Sequence, residues 1–327
     1  MNTQRGLALV PASFFGMVLG LAGLGYTWRA AHQVWGLPHV IGEAILLVAS
    51  LVWLGLIIMY ARKWIVARAD AIAEAAHPVQ CCFIGLIGVA TMLIAGAALP
   101  YSRPLAEILY AAGALYPFAF ALWRTGNLWK GDRDIATTTA ILYLPVVAGS
   151  FVTATIASAL GFPDWGQYAF GCGLFTWFAV ESVLLNRLYN APSMAPALRP
   201  TLGVQLAPPT VGAVAYMSVT SGPPGILGHA LIGYGLLQAL VLFRLLPWIW
   251  QGAITPAYWA FSFGITALAT APLRMIEHGD TGAIQTLAPV LFVVANTVIL
   301  VLVFATLKLL FQNKLFPRLQ IAPLQAS

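Results

Sequence analysis

Charge is scarce in this chain. Only 8% of its 327 residues are Asp, Glu, Lys or Arg, while 60% are hydrophobic. Soluble globular domains carry about 25% charged residues, so that class is excluded. Cysteine is scarcer still, with three residues. Cys81, Cys82 and Cys172 lie inside apolar stretches without metal-ligand spacing, which excludes a disulfide framework and reads as small buried hydrophobes. The five histidines, His32, His39, His77, His229 and His278, have no companions at ligand spacing, so no metal site and no cofactor are expected. His-Glu-x-x-His, Gly-x-Ser-x-Gly and the Gly-x-x-x-x-Gly-Lys phosphate loop are all missing. No enzyme is expected.

What fills the chain instead is long apolar sequence. A membrane helix needs roughly 20 apolar residues to cross about 30 Å of hydrocarbon. Ten stretches meet that length, near 11–28, 39–60, 79–98, 105–124, 140–160, 166–186, 202–219, 226–249, 257–276 and 283–309. They lack the period-two alternation of a β-barrel. The first is read as a retained helix and not a signal peptide, because no cleavage site follows it. The expectation is an all-α integral membrane protein: one transmembrane domain over 1–327 with short tails at both ends.

Prolines recur near the start of every second segment. Pro11, Pro78, Pro145, Pro209 and Pro256 are separated by 67, 67, 64 and 47 residues. Such a period points to one unit used five times. If the unit is a two-helix hairpin, five hairpins can surround a central path. Pro11, Pro78 and Pro256 suit helix starts. Pro145 and Pro209 follow apolar runs and are expected to kink helix interiors.

The net charge of +6 does not indicate a nucleic-acid partner, because the cations cluster by loop. Arg62, Lys63, Arg68, Lys130, Arg133 and Arg199 follow even-numbered segments, with Arg124 and Arg187 at the adjoining helix ends. Arg5, Lys314 and Arg318 flank the set, and the opposite side has mainly Arg29, Arg103 and Arg274. Lys and Arg favour the cytoplasmic side, which puts both termini there and runs the odd segments in parallel. Odd segments are rich in small residues, among them Gly16, Gly20, Gly88 and Gly149, suited to close packing or to an axis. Even segments carry Leu, Trp53, Trp177, Trp248 and Trp250, as expected of an outer, lipid-facing ring.

Intramembrane charge is a functional candidate by default. Glu181 and Arg244 are expected to pair. Glu43 has no partner evident in sequence, which makes it the candidate if protons are coupled to transport. The ninth segment reads Tyr258-Trp259-Ala260-Phe261-Ser262-Phe263-Gly264. Phe263 is either core or a hydrophobic plug on a narrow axis.

These residues resemble the bacterial tellurite-resistance protein A (TehA) family, related to plant slow-type anion channels and fungal malate transporters. The likeness runs through Phe14-Phe15-Gly16, His77-Pro78-Val79, Tyr143-Leu144-Pro145, Arg244-Leu245-Leu246-Pro247-Trp248 and Trp259 to Gly264. The resemblance implies ten helices as five hairpins in quasi-fivefold arrangement around a pore, assembled as a homotrimer in the bacterial inner membrane. It implies that Phe263 occludes the pore, which Phe15, Gly16, Phe83, Gly149, Phe151 and Gly264 would line. The implied function is a gated channel for small anions such as nitrate and chloride. The alternatives are a proton-coupled C4-dicarboxylate carrier and a tellurite-resistance efflux carrier.

Overall fold

A computed structural model describes residues 9–131 and 134–316. Arg5, Arg133 and Arg318 lie outside the described residues. Every regular element within them is helical. In chain order these are α1 (Phe15–Trp35), α2 (His39–Val66), a short α3 (Arg68–Ala76), α4 (Leu86–Ala98), α5 (Arg103–Leu128), α6 (Gly149–Ala159), α7 (Pro163–Asn190), α8 (Ala207–Val219), α9 (Ile226–Ile249), α10 (Ser262–Glu277) and α11 (Ala283–Phe311). Eight spans are long and apolar enough to cross a membrane; they contain α2, α4, α5, α6, α7, α9, α10 and α11. The first and seventh expected segments are helices too but fall outside that class. In α1, glycines and the polar residues Arg29, His32 and Gln33 in the last two turns dilute the hydropathy. α8 with its entry turn is long enough, but Gln205, Pro208, Pro209 and Thr210 dilute its hydropathy.

Neighbour relations organise these helices. α1 packs on α4, α4 on α6, α6 on α8, α8 on α10, and α10 returns to α1, so the contacts close a cycle. Each member also packs on the long helix that follows it: α2, α5, α7, α9 or α11. Glycine permits the closest approaches. A Cβ on Gly20 would lie 2.5 Å from Ser262 Cβ, and one on Gly88 would lie 2.3 Å from Pro117 Cδ. Gly20 thus sets the α1–α10 distance, and Gly88 faces α5 rather than the axis.

The proline repeat marks a shared irregularity. All five cycle helices are entered through a tighter or looser turn. These are 3₁₀ turns at Ala12–Phe14, Gln80–Gly85, Ala140–Tyr143, Pro196–Leu206 and Pro256–Phe261. Pro11 caps the first, Pro78 precedes the second and Pro256 opens the last. Pro145 sits inside a π turn, Leu144–Ala148, between the third 3₁₀ turn and α6. Its missing N–H disrupts the α ladder there, as expected of an interior proline. The expected kink at Pro209 is corrected: Pro209 is in the first turn of α8, where its absent N–H needs no partner. The break precedes it, in the 3₁₀ turn.

Candidate functional site

The entry turns of the cycle helices surround a cavity of about 110 Å³. Gly16 and Leu19 reach it from α1, Phe83 and Leu86 from the α4 end, Val147 and Phe151 from the α6 end, Val204 and Val211 from the α8 end, and Trp259 and Phe263 from the α10 end. Among the described residues, its polar side chains are Ser13, Gln80, Tyr143 and Thr201, and no charged side chain lines it. An apolar wall of this kind holds an ion without strong ligands, so the energy of shedding water decides which ion enters.

Phe263 is half-buried at the cavity, in the first turn of α10. Its neighbours are tethered. Ser262 Oγ donates to the Trp259 carbonyl at 2.7 Å and to the Gly16 carbonyl at 3.3 Å. Trp259 Nε1 donates to Thr306 Oγ1 on α11 at 2.8 Å. Gly16 has room: an added Cβ would meet nothing closer than 3.7 Å, so larger groups there would project into the cavity.

Phe151 contrasts with Phe263. It is fully buried, and added Cβ atoms at Gly173 of α7 and Gly212 of α8 would press on its ring at 2.8 and 3.1 Å. The two glycines form a slot that holds the ring. Phe83 is half-buried at the cavity. Three expected lining residues are corrected. Phe15 is fully buried edge-on to Tyr60 of α2, with centroids 6.2 Å apart. Gly149 faces Pro117 of α5 at 3.3 Å. Gly264 backs onto Leu206 and the Ala207 amide at 2.8 and 2.9 Å.

The charged candidates are also re-partnered. The expected Glu181–Arg244 pair is absent: Arg244 is exposed on α9, and Glu181 is buried among four donors. Trp177 Nε1 donates to Glu181 at 2.9 Å, Gln205 Nε2 at 2.8 Å, Tyr234 hydroxyl at 2.5 Å, and Tyr143 hydroxyl completes the set. A carboxylate has about four acceptor positions, and all are used. Trp177 therefore faces inward, against the lipid-facing expectation. Through Tyr143, this network supports the cavity wall. Cys81 and Cys82 are buried as expected, but Cys172 is exposed on α7.

Glu43 has a partner after all. Arg29 Nε and Nη2 meet its two oxygens at 2.7 and 2.8 Å, a bidentate pair. The same guanidinium donates to the Gly96 and Ala97 carbonyls at 3.2 and 3.0 Å, which ties α1 and α2 to the end of α4. Tyr101 in the α4–α5 turn donates to Glu43 at 2.7 Å, and that bond pushes its hydroxyl above the ordinary phenol range. The sequence signal was present: Arg29 and Glu43 flank the Gly36–Pro38 turn of an antiparallel hairpin. Among the described residues no group of three or more His, Cys, Asp or Glu could hold a metal.

A closed cycle of glycine-packed helices around an uncharged cavity is consistent with a passage for ions, and comparison with known proteins gives it a family. The family profile described as SLAC1, voltage-dependent anion channel, matches residues 10–307. The chain belongs to the SLAC1 anion-channel family. It is 34% identical over 317 residues to the tellurite resistance protein TehA homolog of Haemophilus influenzae, covering 97% of this chain and 95% of that one. Two Arabidopsis thaliana proteins are more distant. The S-type anion channel SLAH2 is 22% identical over 327 residues, and the guard cell S-type anion channel SLAC1 is 22% identical over 307 residues. The match covers 94% and 91% of this chain but only 60% and 55% of those plant proteins. As a SLAC1-family member, the chain is a membrane protein with several membrane-spanning helices.

Proposed function

We propose that the protein is a gated channel for small monovalent anions, with Phe263 as its plug. The observation that carries this reading is the uncharged cavity at the entry turns of α1, α4, α6, α8 and α10, with the Phe263 ring at its wall. Membership of an anion-channel family supports the sign of the ion. We read the ten long segments as five hairpins in quasi-fivefold arrangement, with the five cycle helices around the path and the other five facing lipid. The loop cations support cytoplasmic termini, so the cavity opens toward the cytoplasm. The TehA homologue supports a bacterial inner membrane, and the resemblance supports a homotrimer with one pore per protomer. A wall without fixed charge favours weakly hydrated ions, so nitrate is expected to pass more readily than chloride.

Ion-substitution electrophysiology on purified wild type and Phe263→Ala tests this. Removal of the ring is expected to raise anion current at least tenfold, the factor given by about 1.4 kcal/mol of barrier. Reversal potentials should rank nitrate above chloride. Unchanged current in well-folded Phe263→Ala protein sinks the plug. A proton-coupled carrier needs a titratable group on the path. Among the described residues Glu43 is committed to Arg29, Glu181 is saturated, and neither borders the cavity. Proton-dependent uptake lost on Glu43→Gln would reverse that preference.

A further inference from the structure

Of the three cations buried among the described residues, Lys63, Arg187 and Arg199, two are satisfied and one is not. Lys63, near the end of α2, meets Glu74 at 2.7 Å. Arg199 donates to the carbonyls of Met194 and Trp248, both at 3.0 Å, and to Gln251 Oε1 at 2.7 Å, and it stacks over the Trp248 ring. Arg187, near the end of α7, is 5% exposed. Among the described residues no hydrogen bond or ion pair reaches its guanidinium, and its Nε is wholly enclosed and unpartnered. A charge removed from water is ordinarily paired. Lys63 shows that this fold supplies a carboxylate at the matching end of another outer helix. At Arg187 the described residues supply none.

A second unpartnered group belongs to the same end. Thr139 is buried, and its hydroxyl has no partner. It caps the turn Ala140–Tyr143, which packs on α7. Tyr143 meets Glu181 on α7. The entry to α6 and the helix α7 run antiparallel, so stepping back from Tyr143 to Thr139 and forward from Glu181 to Arg187 moves in the same direction. Both steps lead toward the end where α7 stops. Neither Arg187 nor Thr139 borders the central cavity.

We propose that Arg187 and Thr139 form an anion-binding site at the end of α7, separate from the central cavity, for a small inorganic anion. A guanidinium carries positive charge and only donors, and the Thr139 hydroxyl adds one more donor, a set that suits an anion. The slight exposure of Arg187 admits a chloride- or nitrate-sized ion more readily than a lipid headgroup on its glycerol tether. The choice of nitrate and chloride as probes rests on the channel reading; the site itself rests on the unpaired cation. A bound ion ties α7 to the turn that carries Tyr143 into the cavity wall, so occupancy is coupled to the shape of the path.

The test is thermal unfolding of the purified full-length protein. Sodium nitrate or sodium chloride replaces sodium gluconate at constant ionic strength. Wild type should show a saturable rise in Tm. R187M should lose that rise and, in gluconate, unfold no earlier than wild type, because an enclosed unpaired charge is gone. T139V, which keeps the cation, should show the rise with its half-maximal concentration moved up about fivefold, the loss of one hydrogen bond. A rise of wild-type size in R187M, or none in wild type, overturns the site. A rise produced by added phosphatidylglycerol and by neither salt overturns the small-ion assignment. Currents are read separately: a protein stabilised through Arg187 that passes no anion current overturns the channel reading and leaves the site standing.

Discussion

The spans containing α4, α6 and α10 bury 78%, 72% and 67% of their most apolar stretch, whereas α2, α5, α7, α9 and α11 bury 22%, 22%, 22%, 33% and 17%. Hydropathy does not separate the two sets. The two ranges overlap: the span containing α4 is more apolar than those of α5, α7 and α9 but less so than those of α2 and α11. Lipid tails are as apolar as a helix interface, so burial in a membrane is not driven by the water-avoiding effect that sorts a soluble core. Shape sorts it instead. The buried set carries glycine at its contacts and enters through proline-marked turns. The exposed set carries bulky side chains such as Leu47, Leu51, Phe175, Phe243 and Phe304, all exposed.

That comparison can be broken or sharpened by paired substitutions, followed as thermal unfolding in detergent. The largest effect is expected at Glu181. Glu181→Ala strands the donors of Tyr143, Trp177, Gln205 and Tyr234, and at about 1–3 kcal/mol for each unsatisfied buried group the loss should reach at least 3 kcal/mol. Glu107→Ala on α5 removes an exposed pair with Arg103 and should change stability by less than about 0.5 kcal/mol. Equal effects would mean that the Glu181 network is not a buried brace. A smaller effect is expected at glycine. Gly88→Ala places a methyl group against Pro117 and the Gly113 carbonyl, 2.6 Å away, and overpacking of this kind typically destabilises by about 1–3 kcal/mol. Gly55→Ala on exposed α2 meets nothing within 4 Å. It should be neutral or stabilising by up to about 1 kcal/mol. If Gly55→Ala destabilises as much as Gly88→Ala, the division between packed and exposed helices is wrong.

Much of the fold could be read without coordinates, because long apolar runs and their punctuation are local signals. The ten expected segments coincide with helices, and the five prolines fall at or beside the irregular entries. Faces were harder to read. Gly149 and Gly264 lie on the right helices but turn toward Pro117 and Leu206, since a helix apolar all round gives no periodic cue to its inner side. Partners of charged groups were hardest. Arg29 lies 14 residues before Glu43, across a hairpin turn, and could have been inferred from antiparallel register. Glu181 draws donors from four different elements, and only tertiary packing brings Tyr143, Gln205 and Tyr234 to it.

One consequence of the cycle concerns sign. All five of its helices begin at the cavity. Peptide dipoles aligned along a helix leave roughly half a positive charge at its amino end. Five converging amino ends therefore give the cavity a positive potential without help from any charged side chain among the described residues of its lining. An anion would be preferred there by backbone alone. Neutralising the exposed loop cations Arg62, Arg68 and Lys130 together should then leave anion-over-cation permeability intact, as read from reversal potentials in a salt gradient. Such a field is written into topology rather than composition, and it persists through any side-chain substitution that keeps the five helices pointing the same way.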